Sequence, residues 1–393
     1  MNTCPPRPVV SLGIEELGKR PTNLLAGRRL ALLCNQASTD SRLRHSRDLL
    51  AARFPGALTC LFTPQHGFFS EKQDNMIESG HWRDPLLDIP VYSLYAERRR
   101  PSEEMFADFD VLLVDLFDVG TRVYTFIYTM AYCLEAAARY GRKVIVLDRP
   151  NPVGGERIEG AVLRPGWESF VGLYPIPMRH GLTVGEMALL MNTRFGIGAD
   201  LEIVAMQGWR RSMLYPDTGL PWVFPSPNMP TFATALVYPG QVIWEGTNVS
   251  EGRGTTLPFE LAGAPEWDTR QMAAGLAGLP GCVFRPLVFE PTSGKWAGKA
   301  CQGFHLHVTD PAAFRPLLAS LCLLREAMGQ EGFAWKQPPY EYEYDRLPID
   351  IIFGGDHVRK DMETGRLPVD MEKDWRQGLA EFEEERRAVF LYT

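Results

Sequence analysis

Between Arg28 and Gly155 the chain alternates two hydrophobic rhythms. Continuous apolar runs, "RRLALLCN" (28–35), "ALTCLFTPQHG" (57–67), "IPVYSLY" (89–95), "FDVLLVDLFDVG" (109–120) and "RKVIVLDRPNPVGG" (142–155), read as strands, most of them breaking into polar residues or glycine. Between them lie helical stretches, "SRDLLAARF" (46–54) and "VYTFIYTMAYCLEAAARYG" (123–141), the second closed by Gly141. Continuous apolar strands separated by helices predict a parallel sheet covered on both faces.

Further along, Thr183 and Glu186 have capping-box spacing ahead of an apolar helix, so Glu186 reads as structural. "DLEIVAMQGW" adds a strand. From Trp222 to Trp267 the chain is dense in Pro, Gly and Asn yet keeps Trp222, Phe224, Tyr238 and Trp244. A linker would lack these rings, so the stretch predicts an ordered loop system closing over something. After Trp267, "GCVFRPLVFEP" and "CQGFHLHVTD" alternate as half-buried strands, and "FRPLLASLCLLREAM" is an amphipathic helix. The expected fold class is α/β: a doubly wound parallel-sheet domain with its cleft loops over residues 1–266, and a smaller α+β domain over 267–393.

In open parallel sheets, ligands bind beyond the carboxyl ends of the strands. Four such ends carry Asn35 and Gln36, Gln65 and His66, Asp115 and Asp118, then Asp148, Arg149 and Asn151. They are expected to meet on one rim. "NQASTD" stands after the first strand where a dinucleotide fold carries G-x-G-x-x-G, and no P-loop is present.

Composition narrows the picture. The 393 residues exceed one ordinary core, and 45% hydrophobic with 23% charged is soluble globular usage. A net charge of −7 excludes a general nucleic-acid binder. Seven cysteines without CxxC spacing fit reduced structural thiols. The first 21 residues lack a signal-peptide pattern and no apolar span reaches membrane length, so a cytoplasmic location without membrane partners is expected.

No G-x-S-x-G, H-E-x-x-H or metal-spaced cysteine cluster occurs. His305 and His307 alternate on one strand face without a visible third ligand, and read as ordinary core or surface histidines. A glycosidase needs one protonated carboxyl and an ionised partner, or a substitute for it. Candidates near the rim are Glu71, Asp74, Glu78, Asp115, Asp118, Glu245 and Glu251. Arg122, Arg149, Arg179 and Arg253 lie in polar loop segments, and a guanidinium fork suits a ligand carboxylate. Acids, amides, aromatics and arginines together fit an acidic sugar.

At "NQAS", "PQHGF", "DLFDVGTRVYTFIYTM", "VLDRPNPVGG", "RHGLTVGEMA", "PSPNMP" and "EGTNVSEGRGTTLPFELAGAP" the chain resembles the NamZ-type exo-β-N-acetylmuramidases, a family long catalogued as a domain of unknown function. The likeness runs from about Ser11 to Thr393. It implies a Rossmann-like domain plus a smaller C-terminal domain, with the site between them. It also implies removal of a β-1,4-linked N-acetylmuramic acid from the non-reducing end of peptidoglycan fragments, without metal or organic cofactor. The sugar's lactyl carboxylate agrees with the arginines.

One departure matters. Family members commonly show Pro-Glu-His-Gly where this chain has Pro64-Gln65-His66-Gly67, and glutamine exchanges no proton at useful pH. Either Glu71 or Asp74 has taken over as general acid, or the reaction differs, or the protein only binds muropeptides. In the enzyme reading, His66 orients the acid or contacts substrate. Asn35, Gln65, Asp118, Arg122, Arg149, Asn151, Arg179 and His180 are substrate-binding candidates. Asn228, Glu245, Asn248, Glu251 and Arg253 form the opposing wall.

Overall fold

The computed structural model describes residues 9–73, 76–95 and 99–393. Seven strands build the larger sheet: β1 (Leu30–Cys34), β2 (Leu58–Thr63), β3 (Trp82–Asp84), β4 (Ile89–Ser93), β5 (Val111–Asp115), β6 (Lys143–Leu147) and β7 (Asp200–Val204). Their order is β3-β4-β2-β1-β5-β6-β7, parallel throughout except for β3 at the edge. Strands β1 and β5 are buried along their whole length, which is why they read as unbroken apolar runs. The helix Phe126–Tyr140 covers the sheet and ends at Gly141 with φ 65°, a backbone conformation glycine adopts without steric cost. Thr183 and Glu186 form the expected capping box. Glu186 also pairs with Arg211 at 2.7 Å, a structural arrangement.

The chain runs outward from β1 in both directions, so the topological switch point lies between β1 and β5. In nucleotide-binding relatives of this architecture that crevice is open. Here side chains of the protein fill it. Arg149 places Nε 2.5 Å and Nη2 3.0 Å from the carboxylate of Asp115, and Nη2 also donates to the Thr39 carbonyl at 2.7 Å. Ser46 donates to the same carboxylate, and Ser38 to the Asp115 carbonyl at 2.5 Å. Breaking such a buried, fully bonded pair leaves an uncompensated charge.

The smaller sheet is antiparallel, β8 (Leu261–Ala264), β9 (Cys282–Phe289) and β10 (Cys301–Val308), in the order β8-β10-β9. It recruits β8 from upstream of the boundary expected at residue 267. The helix Pro316–Met328 packs against Phe232–Gln241, and the long helix Pro368–Arg387 carries the chain back to the first domain. There Tyr392 donates to Asp148 at 2.5 Å. His305 stands 3.7 Å from Glu260, and His307 accepts from Arg285 at 3.2 Å. Among the described residues no cluster of metal-ligating side chains occurs, and no helix is long and apolar enough to cross a membrane. Cys34, Cys60, Cys133, Cys282, Cys301 and Cys322 are free thiols; Cys4 lies outside the described residues.

Candidate active site

A cavity of about 30 Å³, room for a water or two, lies between the two domains. Gln65 and His66 reach it from the end of β2. Val123 to Phe126 enter at the start of the long covering helix, and Ser226, Asn228, Met229 and Tyr238 from the aromatic loop region. Glu245, Arg253, Phe259, Tyr340 and Glu341 close the far side. The site is thus built mainly at the carboxyl end of β2, away from the filled switch point.

Glu341 organises one wall. Its Oε2 accepts from the Tyr95 hydroxyl at 2.7 Å and its Oε1 from the Gln65 amide at 3.1 Å. Each donor is itself fixed: Tyr95 accepts from the Met76 N–H at 3.0 Å, and the Gln65 carbonyl oxygen accepts from Thr125 at 2.7 Å. The glutamate is 5% exposed. Burial raises its pKa above the usual carboxylate value, and the bonds from Tyr95 and Gln65 only partly oppose that rise.

Glu245 organises the other. It accepts from Arg253 at 2.5 Å and from the Tyr340 hydroxyl at 2.6 Å. Arg253 also lies 3.2 Å from Glu251, which Lys295 approaches at 2.8 Å. Burial alone would raise Glu251, but Lys295 and Arg253 outweigh it and hold its carboxyl below the ordinary value. The two walls therefore differ: one glutamate takes hydrogen bonds from a tyrosine and an amide, the other from a tyrosine and a guanidinium.

His66 lines the same cavity. Its Nδ1 lies 2.7 Å from the Lys72 carbonyl, so Nδ1 carries the proton and Nε2 is the acceptor of the neutral ring. Burial lowers its pKa to about 4. Backbone φ is +74° at His66 and +83° at Gly67, and a Cβ on Gly67 would stand 2.7 Å from Glu71 Oε1. The left-handed backbone at Gly67 favours glycine there. The same packing corrects the expectation for Glu71: its carboxylate folds under the turn, accepts from the Phe69 N–H at 3.2 Å and is exposed, outside the cavity. Asp74 lies outside the described residues.

The expected common rim does not form. Of the residues assigned to substrate, Gln65, Asn228, Glu245 and Arg253 line the cavity, and Glu251 stands behind Arg253. The others hold the protein together. Asn35 donates to Pro225 O at 2.8 Å. Arg122 is committed to the carbonyls of Ala161, Ile176 and Ile352 at 2.7–2.9 Å. Arg149 fills the switch point. Asn151 bridges to Leu182 O at 2.9 Å, and Arg179 donates to Val153 O. Asn248 clamps Gly332 and Ala334 at 2.7 and 3.0 Å. Asp118 accepts from Gly120 N at 2.7 Å with His180 at 3.4 Å, both buried. Guanidiniums and amides in polar loops look alike in sequence whether they meet a ligand or a backbone carbonyl.

Glu341 and Tyr340 were missed. Their one local signal is "PPYEYEYD", where carboxylates alternate with tyrosines in a loop rather than in a strand.

The architecture and cavity define a two-domain α/β protein with a glutamate on each wall of an aromatic-lined cleft. Its sequence matches the family models for the N-terminal part of exo-beta-N-acetylmuramidase NamZ over residues 30–233 and for the C-terminal part over 236–392. The chain belongs to the NamZ exo-beta-N-acetylmuramidase family. It is 41% identical over 394 residues to the peptidoglycan beta-N-acetylmuramidase NamZ of Bacillus subtilis (strain 168), a match covering 100% of this chain and 93% of that protein. A crystal structure of a DUF1343 family protein from Bacteroides fragilis NCTC 9343 superposes with a TM-score of 0.88 at 31% identity, covering 99% of this chain and 100% of the other. A second such structure from the same strain gives 0.76 at 28% identity, covering 98% and 99%.

Proposed function

We propose that this protein is an exo-acting glycoside hydrolase releasing N-acetylmuramic acid from the non-reducing end of peptidoglycan-derived fragments, within the cytoplasm. The observation that carries the reading is the pairing of two glutamates with contrasting surroundings in one cavity. Glycosidases separate a proton-holding carboxyl from an ionised one in this way. Glu341, raised by burial, is the general acid: its proton passes to the glycosidic oxygen as the bond to the anomeric carbon breaks. Glu245, held by Arg253, faces the positive charge that develops on the sugar ring; water then bonds to the anomeric carbon, and the proton it sheds restores the acid form of Glu341. The Nε2 lone pair of His66 accepts from a sugar hydroxyl. Glu341 thus supplies the acid that Gln65 lacks, in direct contact with that position.

The deciding experiment incubates the protein with a chromogenic β-N-acetylmuramide and, separately, titrates it with free N-acetylmuramic acid. Release of the chromophore, lost in Glu341→Gln, is expected. Binding of the free sugar with no release between pH 4 and 8 would sink the hydrolase. It would favour the second reading, a muropeptide-binding protein, whose one supporting observation is the glutamine at position 65.

A further inference from the structure

Arginines around the cleft are mostly engaged. Arg122 caps three carbonyls, Arg149 is locked to Asp115, and Arg253 is shared by two glutamates. Arg99 differs. Among the described residues no hydrogen bond or ion pair reaches its guanidinium. It lies instead over aromatic faces, with Cζ 4.1 Å from the ring centre of Phe170, 4.3 Å from that of Tyr342 and 5.4 Å from that of Tyr95.

These rings connect Arg99 to the acid. Tyr95 is the hydroxyl donor to Glu341, Tyr342 follows Glu341 in the chain, and Phe170 precedes Val171 of the cavity lining. The positive charge of Arg99 is felt at Glu341, where it opposes the rise caused by burial. Stacking on ring faces fixes the plane of a guanidinium and leaves its edge N–H donors to a ligand in that plane. The ligand chemistry that matches two parallel N–H donors is a carboxylate.

We infer that Arg99 is a specificity-determining residue that takes a carboxylate borne by the sugar whose glycosidic bond Glu341 cleaves. The inference rests on the functional reading above, in which that carboxylate is the lactyl group of N-acetylmuramic acid. A sugar without it leaves the guanidinium edge without an anion, so Arg99 separates the two sugars by charge rather than by shape.

The test compares the wild-type protein with Arg99→Met, Arg99→Lys and, as a control outside the site, Lys373→Met on the exposed side of the helix Pro368–Arg387. Each is titrated calorimetrically with N-acetylmuramic acid and with N-acetylglucosamine, and assayed on the chromogenic muramide. Arg99→Met is expected to raise Kd for N-acetylmuramic acid about 10- to 100-fold, the worth of a charged hydrogen-bonded pair. The Kd for N-acetylglucosamine should stay within about twofold. KM should rise far more than kcat falls, Arg99→Lys should lie in between, and Lys373→Met should change nothing. Equal weakening of both sugars, no weakening of either, or a wild type that binds neither would overturn the assignment. Discrimination in binding by a wild type that cleaves no muramide would keep Arg99 and refute the hydrolase. Cleavage with the same KM in wild type and Arg99→Met would do the reverse.

Discussion

Gln65 and Glu341, separated by 276 positions in the chain, share a hydrogen bond of 3.1 Å in which the amide donates and the carboxylate accepts. A glutamine here acts as a permanently uncharged stand-in for a protonated carboxyl. It lets Glu341 ionise without a second negative charge against it.

Replacing the amide by a carboxyl, Gln65→Glu, sets two acids in contact. They then titrate as a pair, with one macroscopic pKa pushed up because both cannot ionise cheaply at that distance. The basic limb of the pH–rate profile should move to higher pH by about one unit or more. A pH–kcat/KM series on the chromogenic muramide checks this; an unmoved limb would mean that Glu341 is not the group titrating in that profile.

Glu341→Gln should lower kcat by about 10²- to 10⁴-fold while leaving the fold intact, the usual cost of losing a general acid. Glu71→Gln should leave kcat within about twofold, because that carboxylate is exposed and, among the described residues, its hydrogen bond is to the Phe69 N–H. Measuring both variants at one pH is enough. A large loss in Glu71→Gln would move the acid back to the turn at Gly67.

Arg149→Leu should destabilise by about 3–5 kcal/mol, since Asp115 is left charged and buried without its partner. Urea unfolding gives the stability. The muramide assay on the folded fraction should show nearly wild-type KM, which a substrate-binding arginine would not.

His66 makes stability fall in acid. The unfolded ring takes up a proton below about pH 6.5, whereas the buried ring resists it until about pH 4. Unfolding therefore binds a proton across that window. Stability is full above pH 6.5 and falls as pH drops toward about 4, by up to ~3 kcal/mol. His66→Asn tolerates the left-handed backbone at this position and removes the titration. Thermal melts from pH 7 to 4.5 should show a shallower decline in the variant; parallel curves would refute the account.

Much of the scaffold was legible because burial on both faces writes itself as unbroken apolar runs, as at β1 and β5, and because caps such as Thr183 with Glu186 and Gly141 have local signatures. The site was legible only where it stays near β2. Gln65 and His66 stood out there, and Asn228, Glu245 and Arg253 in the dense loop stretch. Glu341 did not, since nothing local to "PPYEYEYD" shows that it reaches Gln65 across 276 positions. Arg122 and Arg179 misled for the opposite reason. Their burial against carbonyl oxygens is a property of the folded chain, and a polar loop carries no mark of it.

The ion pair of Arg149 and Asp115 also bears on what this scaffold can become. Turning it toward cofactor chemistry would require removing a charged plug from the interior, with the stability lost before any new affinity is gained. Altering which saccharide it accepts leaves that pair in place, because the cavity stands apart from it, at the end of β2. Laboratory selection should therefore diversify its sugar preference readily and seldom recover nucleotide recognition.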